Sequence, residues 1–142
     1  MEVRLEVLDG PYAGEVFDRT VPQPGKEAKQ RNQVRIGRGT SKLLKTKGAS
    51  MPNDGELSTN HARISMSGGA QAGISRGTLV FVDLASSNGS AVDGTDAEED
   101  TEVALRSGSV VRVGQSRIRV SFADAKSATT VVDDDDEEKE ND

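Results

Sequence analysis

The chain has 142 residues, a formal net charge of −6, no cysteine, no tryptophan and a single histidine. This length fits one compact domain. Without cysteine there is no disulfide framework and no thiolate metal site, and we expect neither a metal nor a cofactor. No apolar run approaches the roughly 20 residues needed to cross a bilayer, so we expect a soluble protein of the cytoplasm or nucleus without a membrane partner.

The charge is distributed unevenly along the chain. Residues 123–142 contain nine acidic residues and two lysines, a net charge of −7, whereas residues 1–122 carry +1. Low hydrophobicity and high like charge oppose collapse, so we predict a domain over 1–122 and a disordered acidic tail over 123–142. Residues 25–53 contain eight basic residues and one acid, a local +7 that favours an anionic partner.

Short segments of alternating apolar and polar residues follow one another, and none sustains the 3.6-residue period of an amphipathic helix. In chain order their apolar positions are Val3, Leu5 and Val7; Val16 and Phe17; Val34 and Ile36; Ala62, Ile64 and Met66; Leu79 to Val82; Ala91 and Val92; Val103 to Leu105; Val110 to Val113; and Ile118, Val120 and Phe122. The stretch from Gly39 to Leu57 is predicted to be one long loop. About ten short strands with glycine-rich turns predict an all-β fold in which two sheets pack together, as a sandwich or barrel.

Three polar clusters lie at the ends of these strands: Ile36-Gly37-Arg38-Gly39, Leu57-Ser58-Thr59-Asn60-His61-Ala62 and Asp83-Leu84-Ala85-Ser86-Ser87-Asn88-Gly89-Ser90. Taken singly, each has an ordinary explanation. A Gly-Arg pair is common, an Asn-Gly pair between strands is first of all a hairpin turn, and a lone histidine is usually a packed strand residue.

In this order and at these spacings the clusters closely resemble the forkhead-associated (FHA) family. The matching pattern is Gly-Arg after a strand, then Ser-x-x-His-Ala-x-Ile, then Asp-Leu-x-Ser-x-Asn-Gly-(Ser/Thr)-x-Val-x-Gly. The resemblance covers residues 1–122 and is most specific over 36–94. It implies an eleven-stranded β-sandwich of the SMAD/FHA type with its binding loops at one end. It also implies a module that binds phosphothreonine peptides and mediates phosphorylation-dependent protein–protein interaction.

The chemistry of a phosphothreonine suits the matched residue types, because about −1.5 to −2 charges and three acceptor oxygens need a fixed cation and several donors. The resemblance assigns phosphopeptide binding to Arg38, Ser58, Thr59, Ser87 and Asn88. It assigns structural support of the site to Gly37, His61 and Gly89.

Two alternatives to phosphothreonine recognition stay open: an FHA-like scaffold that does not read phosphate, and weak nucleic-acid binding through the basic loop. Nucleic acid is the less favoured partner, because aromatic residues for base stacking are nearly absent. Catalysis is not expected, since one strand histidine and scattered carboxylates provide no nucleophile or acid–base pair. Thr130 precedes an acidic run, with Asp133 three residues on. It is a candidate phosphosite and, through this module, a candidate ligand for phosphorylation-dependent self-association.

Overall fold

The computed structural model describes residues 1–24 and 33–123, so Thr130 and nearly all of the predicted tail lie outside the described residues. Eleven strands and one short helix are found in these ranges. In chain order they are β1 (Glu2–Asp9), β2 (Val16–Thr20), β3 (Val34–Gly37), α1 (Lys42–Lys47), β4 (Ala49–Ser50), β5 (Ala62–Met66), β6 (Leu79–Asp83), β7 (Ser90–Val92), β8 (Thr95–Ala97), β9 (Val103–Ala104), β10 (Ser109–Val113) and β11 (Ser116–Phe122). The all-β prediction and the count of eleven strands are both confirmed.

The strands form two sheets. One has the order β2-β1-β11-β10-β7-β8 and the other β4-β3-β5-β6-β9. All named neighbours pair antiparallel except β3 and β4, which pair parallel. In most strands the buried apolar residues face the space between the sheets, and Leu5, Ile36, Ile64, Phe81 and Ile118 are fully buried in one hydrophobic core. Burial of such side chains is the main stabilising contribution to a sandwich of this kind.

The predicted long loop from Gly39 to Leu57 is not a plain loop, because it contains α1 and β4. The side chain of Ser41 accepts a hydrogen bond from the N–H of Leu44 at 3.1 Å, which caps the first turn of the helix. Arg19 binds the other end, where its Nε donates to the carbonyl of Gly48 at 2.8 Å. With six residues and only Leu44 buried, α1 is too short to produce a helical period in the sequence. In the described ranges no helix is long and apolar enough to cross a membrane.

Strand pairing brings the three polar clusters to one end of the sandwich. Ile36 near the end of β3 pairs with Ala62 at the start of β5, and Ala62 pairs in turn with Asp83 at the end of β6. In the other sheet Ser90 at the start of β7 pairs with Val113 at the end of β10. β11 starts beside Val113 and runs away from this end, so the chain continues beyond Phe122 from the opposite end of the sandwich.

Candidate functional site

Arg38 directly follows β3, and hydrogen bonds hold its backbone and side chain in place. Its backbone N–H donates to the carbonyl of Ser58, and its Nε donates to the carbonyl of Leu57, both at 2.9 Å. Among the described residues the guanidinium makes no further hydrogen bond, and the residue is exposed. The donors of its two terminal nitrogens are therefore not used by the described residues, on a side chain whose Nε is held by Leu57.

Gly37 occupies a close approach between two loops. A Cβ atom at this position would lie 2.0 Å from the carbonyl oxygen of Thr59, far inside van der Waals contact. Any side chain here would push the end of β3 away from the loop that carries Ser58. The role of Gly37 is therefore to let these two segments touch.

His61 is fully buried and connects two of the loops. Its Nδ1 accepts from the backbone N–H of Ser58 at 3.0 Å, so the ring proton lies on Nε2, which donates to the carbonyl of Gly89 at 3.0 Å. Burial lowers the pKa of His61 below its usual value, although the bond to Gly89 and the carboxylate of Asp83 oppose the shift. The imidazole is therefore neutral at pH 7 and acts as a rigid connection rather than as a charge.

The third cluster packs against the second through two cross-loop hydrogen bonds. The backbone N–H of Ser87 donates to Oγ of Ser58 at 3.0 Å, and Nδ2 of Asn88 donates to the carbonyl of Glu56 at 2.8 Å. Gly89 has φ +76° with open space around the position of a Cβ, so it is needed for its backbone conformation and not for room.

The structure therefore brings Arg38, Ser58, Ser87 and Asn88 into one hydrogen-bonded network. Thr59 lies beside it and is exposed, with no side-chain hydrogen bond to any described residue. Two of the donors that these residues carry already bind other parts of the chain. The amide of Ser58 is bound by His61, and one N–H of Asn88 is bound by Glu56. What remains on Ser58 is its hydroxyl proton, for which the described part of the chain offers no acceptor.

Sequence reasoning missed the role of Asp83, a buried carboxylate that shapes the third cluster. It accepts from the backbone N–H of Ser86 at 3.1 Å, from the hydroxyl of Ser86, and from the hydroxyl of Ser90 at 2.6 Å. An aspartate that ends an apolar strand and precedes serines is typical of a side chain that binds the backbone a few residues on. That local signal was present in the sequence.

Asp54, also fully buried, was missed as well. Its carboxylate accepts from the backbone N–H of Gln115 at 3.0 Å, from the hydroxyl of Ser116 at 2.8 Å and from the backbone N–H of Glu56 at 3.1 Å. The bonds to Gln115 and Ser116 fasten the loop that carries Ser58 to the turn between β10 and β11. These two partners lie about sixty residues away in the sequence, so no local pattern indicates them.

The site has no arrangement suited to a metal ion: the described residues contain no group of three or more His, Asp or Glu side chains that could hold one. The exposed side chains of Arg38, Thr59, Ser87 and Asn88 offer one guanidinium, two hydroxyls and one amide. This set can neutralise and hydrogen-bond an oxyanion.

Comparison with known proteins gives a family match and a set of similar structures. The sequence profile of the FHA domain matches residues 34–114, which include all three clusters and more than half of the chain. A search of curated protein sequences finds no match. The chain is similar to the FHA domain of an Arabidopsis thaliana hypothetical protein, with 26% identity, a TM-score of 0.64 and 87% of each chain covered.

Two further solved structures resemble this chain. One is the FhaA FHA domain complexed with the intracellular domain of Rv3910, with 25% identity, a TM-score of 0.55, and 83% of this chain and 98% of that one covered. The other comes from structural and functional work on phosphothreonine-dependent FHA domain interactions. It has 24% identity, a TM-score of 0.60, and 87% and 99% coverage, and its likeness is one of fold.

Proposed function

The chain belongs to the FHA domain family, and from that membership we propose that it binds phosphothreonine-containing segments of partner proteins through Arg38, Ser58, Ser87 and Asn88. Phosphothreonine-dependent protein interaction is the activity of this family. For this chain, we propose that these four residues form the binding site.

The observation that carries this proposal is the network that fixes an exposed arginine beside the hydroxyl of a second loop. Nε of Arg38 is held by the carbonyl of Leu57, and the backbone N–H of Arg38 holds the carbonyl of Ser58. Ser58 Oγ accepts from Ser87, so the Ser58 hydroxyl proton is directed elsewhere and can be donated to a ligand. A guanidinium fork and a hydroxyl donor at one place match the geometry of a phosphate.

Electrostatics favour the phosphorylated ligand strongly over the plain one. A phosphothreonine carries about −1.5 to −2 charges at pH 7, and each hydrogen bond to a charged group contributes about 1.5 to 3 kcal/mol. Loss of the Arg38 guanidinium removes one or two such bonds. Because about 1.4 kcal/mol corresponds to a tenfold change in affinity, the loss should reduce binding at least tenfold.

Asn88 is proposed to hold the backbone of the ligand next to the phosphothreonine. One N–H of its amide is committed to the carbonyl of Glu56, which fixes the orientation of the side chain. The remaining N–H can donate to a carbonyl of an extended peptide, and the amide oxygen can accept from a backbone N–H of that peptide. Thr59, exposed at the side of the network, is proposed as a further peptide contact.

Calorimetry with matched peptides tests this proposal. Phosphothreonine peptides from an oriented library should bind the chain, whereas their unphosphorylated forms should not. Phosphoserine forms should bind more weakly, because they lack the threonine methyl group. Equal affinity for phosphorylated and plain peptides would refute phosphothreonine recognition and leave the scaffold alternative.

Three variants give the test its controls. Arg38→Ala should remove binding without lowering stability, because the side chain is exposed, and Arg38→Lys should restore only part of the affinity, because the bidentate geometry is lost. Arg106→Ala removes another exposed arginine, near the start of β10 at the far end of the sandwich, and should bind normally. If Arg38→Ala and Arg106→Ala bind equally well, Arg38 does not contact phosphate.

A further inference from the structure

Glu56 places a carboxylate at the edge of the proposed binding network. Its backbone is held on both sides, since its N–H donates to Asp54 Oδ1 at 3.1 Å and its carbonyl accepts from Asn88 Nδ2 at 2.8 Å. The residue is exposed, and its carboxylate forms no ion pair or hydrogen bond with the described part of the chain. The residue whose carbonyl holds Asn88 thus carries, on a fixed backbone, a carboxylate that no described residue neutralises.

The position of Glu56 relative to the phosphate contacts sets which ligand residues it can reach. Glu56, Leu57 and Ser58 are consecutive, and their carbonyls accept from Asn88, from Arg38 Nε and from the Arg38 N–H respectively. Two residues of extended chain span at most about 7 Å. With a phosphate bound at Arg38 and Ser58, a neighbouring ligand residue on the side of Asn88 would come within reach of the Glu56 side chain.

From this arrangement we infer that Glu56 favours a lysine or arginine in the ligand close to the phosphothreonine, on the side held by Asn88, and disfavours an acidic residue there. This inference rests on the proposed function, because it requires the phosphate to be bound at Arg38 and Ser58. The site would then recognise two opposite charges on one ligand, the phosphate at Arg38 and a basic side chain at Glu56.

The size of the preference follows from the exposure of the pair. Ion pairs between exposed side chains change affinity by about two- to fivefold, and salt screens them. We expect a basic residue to bind about two- to fivefold more tightly than alanine at the same position at low ionic strength, and an acidic residue to bind more weakly than alanine by a similar factor.

The experiment uses the full chain and a set of phosphothreonine peptides. In each peptide one residue, at one of the three positions before or after the phosphothreonine, is lysine, alanine or aspartate, and the rest of the peptide is unchanged. Affinities are measured by calorimetry at low and high salt, for the native chain and for Glu56→Lys. The control is Glu2→Lys, which changes the net charge by the same amount. Glu2 is an exposed residue of β1 at the end of the sandwich opposite the loops.

This control is needed because the chain has nine acidic residues and two lysines after residue 122, which attract any basic peptide nonspecifically. We expect the native chain to prefer lysine at one or more positions on one side of the phosphothreonine. Glu56→Lys should prefer aspartate at those positions, and Glu2→Lys should keep the preference for lysine. The inference is overturned if phosphopeptides bind but the preference is the same in both variants. If no phosphopeptide binds any of the three proteins, the proposed function itself has failed, and the inference with it.

Discussion

Because His61 is the only histidine of the chain, its effect on stability can be isolated by changing pH. Burial holds the pKa of the folded imidazole below its usual value, while the unfolded chain titrates near 6.5. Between these two pKa values the unfolded state binds more protons than the folded state, so the free energy of unfolding falls as the pH drops below about 6.5. The stability contributed by neutral His61 is therefore fully present above pH 6.5.

The magnitude follows from the linkage relation. Each pH unit below 6.5 costs about 1.4 kcal/mol until the pKa of the folded state is reached, so moving from pH 7.5 to 5.5 should lower the free energy of unfolding by up to about 1.4 kcal/mol. The charged groups near the ring do not reverse the sign. Asp83 and Asp54 raise the pKa and Arg112 lowers it, but desolvation is the largest effect.

Urea denaturation followed by circular dichroism at pH 7.5, 6.5 and 5.5 measures this dependence, and His61→Asn supplies the control. The variant should be less stable at every pH, by about 1 to 3 kcal/mol for each buried partner left unpaired, but its stability should be flat over this range. Equal pH dependence in the native chain and in His61→Asn would refute the assignment of a buried neutral imidazole.

Gly37→Ala should lower the midpoint of thermal unfolding, because its Cβ would lie 2.0 Å from the carbonyl oxygen of Thr59. Gly55→Ala is the control and should leave the midpoint unchanged, since no atom lies within 4 Å of its Cβ position. Equal shifts for the two variants would contradict the close approach at Gly37. Phosphorylation of Thr130 is expected to produce concentration-dependent association between molecules that Arg38→Ala abolishes. Light scattering that shows a persistent monomer of the phosphorylated chain at high micromolar concentration, unchanged by Arg38→Ala, would discard self-recognition.

Most of the sandwich could be predicted because its strands alternate. In β1 the buried positions Val3, Leu5 and Val7 repeat every two residues, which is the period at which a strand presents one face to a core. β8 could not be found in this way. It is an edge strand that pairs only with β7, and because Thr95 and Asp96 are exposed and only Ala97 packs against the core, it has no alternating apolar face.

For the candidate site, the sequence indicated the residues but not their connections. The spacing of the three clusters singled out Arg38, Ser58 and Asn88, because a family resemblance depends on residue identity at fixed intervals. The bonds that orient them join distant parts of the chain: Asn88 to Glu56 across 32 positions, and Asp54 to Ser116 across 62. Such pairings are set by how the sheets pack. The charge of Glu56 therefore gained a functional meaning only when the fold placed it next to Asn88.

The groups that hold the site and the groups proposed to bind the ligand are separate. His61, Asp54 and Asp83 are buried and spend their hydrogen bonds on backbone amides, a carbonyl and serine hydroxyls of the loops, whereas Arg38 and Asn88 are exposed. Loops fixed in this way lose little conformational freedom when a peptide binds, which raises affinity without adding contacts.

Protonation of His61 would break its bond to the Ser58 amide and loosen the loop that carries the hydroxyl. Peptide affinity should weaken in the same pH range, but phosphothreonine itself loses charge near pH 6. The stability of the unliganded chain, which contains no phosphate, therefore isolates the contribution of the imidazole.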